Sequence, residues 1–88
     1  MSPTMEKRVF TIDLHGVKSY AALQETLAAA LPFPDGYGCN LDALHDMLTE
    51  YGTNWKIIFL HTSAAFKMFR LVCDDAVSQT PGLEIEFR

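Results

Sequence analysis

The 88-residue sequence has little or nothing of three features that would point to common classes of protein. Its only cysteines, Cys39 and Cys73, form no motif, so they predict free thiols in a reducing cytoplasm rather than a disulfide framework. No apolar run approaches the length of about 20 residues that a helix needs to cross a bilayer. The first ten residues also lack the apolar segment of a signal peptide. We therefore expect a cytoplasmic protein without a membrane span.

Basic residues are scarce as well, and the sequence from Ser19 to Trp55 contains no lysine or arginine. Seven basic and eleven acidic residues give a net charge of −4. Binding to nucleic acid or to an anionic membrane needs a basic patch, so the composition disfavours both as direct partners. The charge predicts a positively charged partner instead.

The pattern that is present is typical of one small α/β domain spanning residues 1–88, with room for one core. Alternating or continuous apolar residues predict strands at 8–14, 55–60 and 83–87. Apolar residues at three-and-four spacing predict helices that begin after Ser19, at Leu41 and at Ser63. Strands separated by helices are most simply parallel. We therefore expect a two-layer α/β fold, with a three-stranded parallel sheet, the segment WKIIFL as central strand, and three or four helices on mainly one face.

The second predicted helix carries an unusual charge pattern. Asn40 can cap its first turn, and one side is apolar through Leu41, Leu44, Leu48 and Tyr51. The other side carries Asp42, Asp46 and Glu50, four residues apart, which we call the acidic stripe. Like charges at this spacing oppose helix formation by roughly 0.2–0.5 kcal/mol per pair. Folding gains nothing from the stripe, so the pattern needs another explanation.

The segment PDGYGCNLDALHDMLT resembles the signature of the barstar family, small intracellular proteins that inhibit secreted microbial ribonucleases. A proline, a glycine and an asparagine lead into the helix, and the matching residues are Pro34, Gly38, Asn40, Leu41, Asp42, Ala43, Leu44, His45 and Asp46. The resemblance implies a barstar-like fold, a protein that is monomeric when free, and a basic, barnase-like ribonuclease or a related toxin as partner. It also implies that Asp46 enters the nuclease active site where an RNA phosphate would lie, and that Asp42 makes a second contact.

The predicted partner-binding face consists of Tyr37, Asn40, Asp42, His45, Asp46, Thr49, Tyr51 and Asp75. Asn40 belongs to it for its cap and loop geometry. His45 stands where the family usually has a tryptophan, and Gly36 stands where it often has an aromatic residue. We choose Asp75 over Asp74 because Arg70, four residues earlier, is spaced to form an ion pair with Asp74.

Two other functions remain open at this point. The scaffold is also compatible with an immunity or interaction domain that binds another basic protein or toxin. The third hypothesis is a metal-dependent enzyme that uses Asp42, His45 and Asp46 with Cys39 or His61. Zinc sites favour paired histidines or cysteines, and catalysis needs a nucleophile in an enclosed pocket. We therefore predict no catalytic residue, no metal and no cofactor.

Overall fold

The computed structural model describes residues 7–34, 37–38 and 40–88. In these residues the strands are β1 (Arg8–Asp13), β2 (Trp55–Leu60) and β3 (Glu84–Phe87), and the helices are α1 (Tyr20–Ala30), α2 (Leu41–Tyr51) and α3 (Lys67–Gln79). A short 3-10 helix, Gly52–Asn54, joins α2 to β2. The sheet order is β1-β2-β3, and β2 pairs in parallel with both neighbours. The predicted parallel sheet and its central strand are confirmed.

The core lies on one face of this sheet. Along β2, Trp55, Ile57 and Phe59 are buried, whereas the residues between them are only half-buried. The buried residues of all three helices join the same cluster: Leu23 and Leu27 of α1, Leu44 and Leu48 of α2, and Phe69, Cys73 and Ala76 of α3. Because side chains alternate between the faces of a strand, this pattern places the helices over one face. The predicted two-layer arrangement is confirmed.

The third helix begins later than the sequence pattern predicts. We expected it from Ser63, but α3 begins at Lys67. The Ser63 hydroxyl accepts a hydrogen bond from the Ala65 N–H at 3.2 Å, and its carbonyl accepts one from the Phe66 N–H at 3.1 Å. Serine competes with helical backbone bonds in this way, so a turn occupies the residues before the helix. Phe66 is buried in the core, but it belongs to this turn and not to the helix.

The predicted ion pair between Arg70 and Asp74 is wrong. The Arg70 guanidinium lies over the ring of Phe87 at 4.8 Å from the centroid, and its Nη2 makes a long contact of 3.4 Å with the Thr62 carbonyl oxygen. No ion pair joins Arg70 to Asp74 in the described part of the chain. A half-buried arginine keeps its stem on apolar surface and its charge over an aromatic face. Arg70 therefore contacts Phe87 of β3 instead of a residue of its own helix.

Cys73 is fully buried in the core, and burial raises the pKa of its thiol well above the ordinary range. The thiolate is the reactive form of cysteine, so this residue packs as a small apolar side chain.

Among the helices of the described ranges, none is both long and apolar enough to cross a bilayer.

Two glycines with positive φ provide a test of the contact between the residues before β3 and the 3-10 helix. Gly82 has φ +87° and Gly16 has φ +82°. A Cβ on Gly82 would lie 2.0 Å from the carbonyl oxygen of Thr53, whereas one on Gly16 meets nothing within 4 Å. We expect Gly16→Ala to lower the free energy of unfolding by about 1–2 kcal/mol from backbone strain alone, and Gly82→Ala to lower it clearly further. Urea unfolding of both variants measures this, and equal losses would contradict the contact.

Candidate functional site

The predicted N-cap of α2 is confirmed. The Asn40 Oδ1 accepts a hydrogen bond from the Ala43 N–H at 2.7 Å, and the Asn40 Nδ2 donates to the Gly38 carbonyl at 3.3 Å. A Cβ on Gly38 would lie 3.3 Å from the Ala43 Cβ, so the loop passes close to the first turn of the helix. One side chain thus ties the loop and the start of α2 together.

The two sides of α2 differ as the sequence predicts. Leu44 and Leu48 are each 1% exposed and join the core, whereas Asp42, Asp46 and Glu50 are exposed. In the part of the chain that the structure describes, no lysine, arginine or histidine forms an ion pair with these three carboxylates. The acidic stripe is therefore an exposed negative surface on a helix that is anchored from behind.

His45 connects α2 to α3. Its Nε2 lies 2.7 Å from the Asp75 Oδ2, and the Gln79 Nε2 donates to the same oxygen at 2.8 Å. The His45 side chain is 25% exposed and that of Asp75 is 57% exposed. The imidazole thus has its polar partner on the neighbouring helix rather than among the acids of its own. Asp75 was preferred to Asp74 because an ion pair between Arg70 and Asp74 was expected, and that ion pair is absent among the described residues. The structure nevertheless places Asp75, and not Asp74, in contact with His45.

A groove of about 440 Å³ runs between α2 and α3. Its lining brings together acidic, imidazole and aliphatic groups: Asp42, His45, Asp46, Leu71, Val72 and Asp75. Three carboxylates from two helices therefore share one open groove with two aliphatic side chains. This surface offers hydrogen-bond acceptors for cationic groups and apolar area beside them.

Tyr37 packs against the protein itself. Its ring lies 4.7 Å from the ring of Phe33 between centroids, and its hydroxyl donates to the Oε1 of the buried Gln24 on α1. The residue is half-buried. These contacts hold Tyr37 against α1, so it exposes only part of its side chain.

Thr49 and Tyr51 differ in what they expose. The Thr49 hydroxyl donates within its own helix, at 3.0 Å from the His45 carbonyl oxygen and 3.1 Å from that of Asp46. Tyr51 ends α2 and is 43% exposed.

Asp35, Gly36 and Cys39 lie outside the described residues.

His61 does not join the residues of α2. It has φ +57° directly after β2, and its Nδ1 lies 3.0 Å from the Asp13 Oδ1 at the end of β1. This hydrogen bond, aided by one from the His15 backbone N–H, holds the pKa of the Asp13 carboxyl below its usual value. The residues that the structure describes contain no group of three His, Cys, Asp or Glu side chains placed to hold a metal ion.

The apolar residues beside the acidic stripe are not part of the face predicted from the sequence. Leu71 and Val72 line its groove, and Met68 lies one turn before Leu71 on α3. Met68 and Leu71 are 56% and 58% exposed. Their signal in the sequence is that both are apolar yet fall outside the buried stripe of Phe69, Cys73 and Ala76.

The comparison with protein families identifies the family of the chain. The sequence model of the family described as Barstar (barnase inhibitor) matches residues 7–87, nearly the whole chain. The chain therefore belongs to the Barstar family, whose members are inhibitors rather than enzymes. The comparison with individually curated proteins returned no match.

The cap of α2 provides a test of how firmly the site is built. We expect Asn40→Ala to lower the free energy of unfolding by about 1 kcal/mol, since it removes the oxygen that accepts from Ala43. Asn40→Asp is the matched control, because aspartate caps helices about as well as asparagine. Thermal and urea unfolding measure both variants. An alanine variant as stable as the wild-type protein would show that the cap contributes little here.

Proposed function

We propose that this protein inhibits a basic, barnase-like ribonuclease by placing Asp42 and Asp46 of α2, together with the loop before this helix, over the active site of the enzyme. The observation that carries the proposal is that Asp42 and Asp46 are exposed in one groove with Asp75, while Leu44 and Leu48 anchor their helix in the core. The resemblance and the family membership support the same reading.

The chemistry of the two surfaces is complementary. A ribonuclease holds the phosphates of RNA with cationic side chains, and a carboxylate accepts the same charge-assisted hydrogen bonds as a phosphate oxygen. In this proposal Asp46 takes the position of a phosphate, Asp42 makes a second contact, and Asp75 extends the negative surface onto α3. The RNA substrate is excluded because the inhibitor covers its binding site.

The remaining face residues serve this proposal in different ways. Tyr37 and Tyr51 supply aromatic contact area at the two ends of α2. Thr49 supplies its methyl group, since its hydroxyl is bonded within the helix. Asn40 fixes the loop, and a surface organised before binding loses less conformational entropy in the complex.

The proposed function also implies an oligomeric state and a cellular location for the free protein. Two copies that met through the acidic stripe would bring like charges together, which favours a monomer. An inhibitor that protects the cell that makes it must meet the nuclease before export, which favours the cytoplasm. Analytical ultracentrifugation and cell fractionation test these two points.

His45 favours one alternative partner. It stands where the resemblance leads us to expect a tryptophan, and its imidazole contacts Asp75. A smaller, polar ring offers less apolar area to a nuclease and already engages one of the acids. The same scaffold is therefore suited to another basic protein, such as a toxin that does not cleave RNA. Affinity capture on the immobilised protein, followed by an RNA-cleavage assay of the eluate, separates the two functions.

Association with the nuclease should depend strongly on salt. The acidic stripe attracts a basic partner over a distance set by the Debye length, which falls from about 30 Å at 0.01 M to about 8 Å at 0.15 M ionic strength. We expect the association rate to drop steeply over this range while the dissociation rate changes far less. Stopped-flow mixing measures both rates. An association rate that is indifferent to salt would reject electrostatic steering.

Asp46→Ala should separate binding from stability. In the complex the substitution leaves the cations of the partner buried without a counter-charge, a loss of about 2–5 kcal/mol that acts mainly on dissociation. In the free protein the melting temperature should stay the same or rise slightly, because the variant removes like-charge repulsion and adds the best helix former.

The matched control is Glu50→Ala, which removes the same charge from the same helix but lies outside the groove lining. We expect it to change inhibition by less than about threefold, or ~0.7 kcal/mol. If Asp46→Ala stays within that limit too, Asp46 does not replace a phosphate. A fall of several degrees in its melting temperature would instead assign Asp46 a structural role.

A further inference from the structure

Helix α3 contains exposed apolar side chains that the proposed function does not use. Five large apolar residues are exposed in the described part of the chain: Val9, Tyr20, Tyr51, Met68 and Leu71. Met68 and Leu71 lie three residues apart on α3 and therefore on one side of it. We call this pair the apolar ridge.

The two residues of the ridge line two different grooves. Leu71 lines the groove that holds Asp42 and Asp46. Met68 lines a second, mainly apolar groove of about 490 Å³ between the three helices, together with Tyr20, Ala21, Gln24, Asn40 and Leu41. Because Asn40, Leu41 and Asp42 are consecutive, the second groove begins where the acidic stripe begins. A partner that covers Asp42 therefore lies next to both grooves.

We propose that the ridge and the second groove bind apolar side chains that the basic partner presents beside its cationic cluster. This inference rests on the proposed function and adds a property of the partner, an aliphatic or aromatic anchor next to its basic cleft. Apolar anchors that enter pockets and are surrounded by polar contacts supply much of the affinity of typical interfaces. Methionine adapts its shape to such a partner.

The negative charge beside the apolar ridge favours a basic protein over the other possible binding partners. Leu71 shares its groove with three carboxylates, so a second copy of this chain would bring its own Asp42, Asp46 and Asp75 against them. An anionic lipid surface or a nucleic acid is repelled in the same way. A basic protein surface satisfies the carboxylates and covers the apolar ridge in one contact.

The test is the double variant Met68→Ala with Leu71→Ala. Both positions are exposed on a helix, and alanine is the best helix former, so the free protein should keep its melting temperature. Binding is measured by stopped flow and inhibition assay against a panel of purified basic microbial ribonucleases that includes barnase. We expect dissociation to become about tenfold faster or more, while the salt dependence of association stays as in the wild-type protein.

Two controls isolate apolar contact as the cause. The exchange Met68→Leu with Leu71→Met keeps the apolar area and should keep dissociation within about threefold of wild type. Val9→Ala truncates a residue of matched exposure, 57%, on β1, and should leave binding unchanged. An alanine double variant that dissociates within about threefold of wild type, or an exchange variant that loses as much as it does, would overturn the proposal.

The remaining outcomes are distinct from these. If the wild-type protein inhibits no ribonuclease of the panel, the proposed function fails and the inference fails with it. If the wild-type protein forms a dimer in analytical ultracentrifugation that the alanine double variant abolishes, the ridge serves self-association, and the inference is overturned while the role of Asp46 stands.

Discussion

The burial of Leu44 and Leu48 is the interaction on which the rest of the site depends. Burying a leucine contributes about 1.5–3 kcal/mol, several times the roughly 0.2–0.5 kcal/mol by which each like-charge pair opposes the helix. These two side chains are fully buried in the core, so α2 forms although its outer side carries Asp42, Asp46 and Glu50. The apolar side of the helix thereby holds an unfavourable charge pattern in place.

The sheet and the third helix complete the proposed binding surface around that helix. β2 and its parallel neighbours provide the face on which all three helices pack, and α3 lies beside α2. The contact between His45 and Asp75, supported by Gln79, then joins the two helices at their exposed edge. In the proposed complex, a surface built from two packed helices is organised before binding and loses less conformational entropy, so its charges and the apolar ridge can contact one partner together.

The order of the elements was predictable because each follows from neighbouring residues. The caps at Ser19 and Asn40 depend on a side chain and a backbone N–H three residues later, and both are present. The start of α3 was predicted too early because the local turn at Ser63 competes with helix formation, and apolar spacing does not register that competition. Arg70 was assigned to Asp74 because spacing along a helix shows only the partners on that helix, whereas Phe87 comes from β3.

The sequence by itself determined the parallel α/β arrangement, the capped helix and the acidic stripe, since periodicity, capping and the absence of basic residues are local properties of the chain. Only the tertiary structure decided that His45 meets Asp75, that Tyr37 bonds to Gln24, and that Leu71 of α3 lines one groove with Asp42 and Asp46. Each of these contacts joins residues that are distant along the chain. Their distances depend on how the helices pack on the sheet, and no local pattern contains that information.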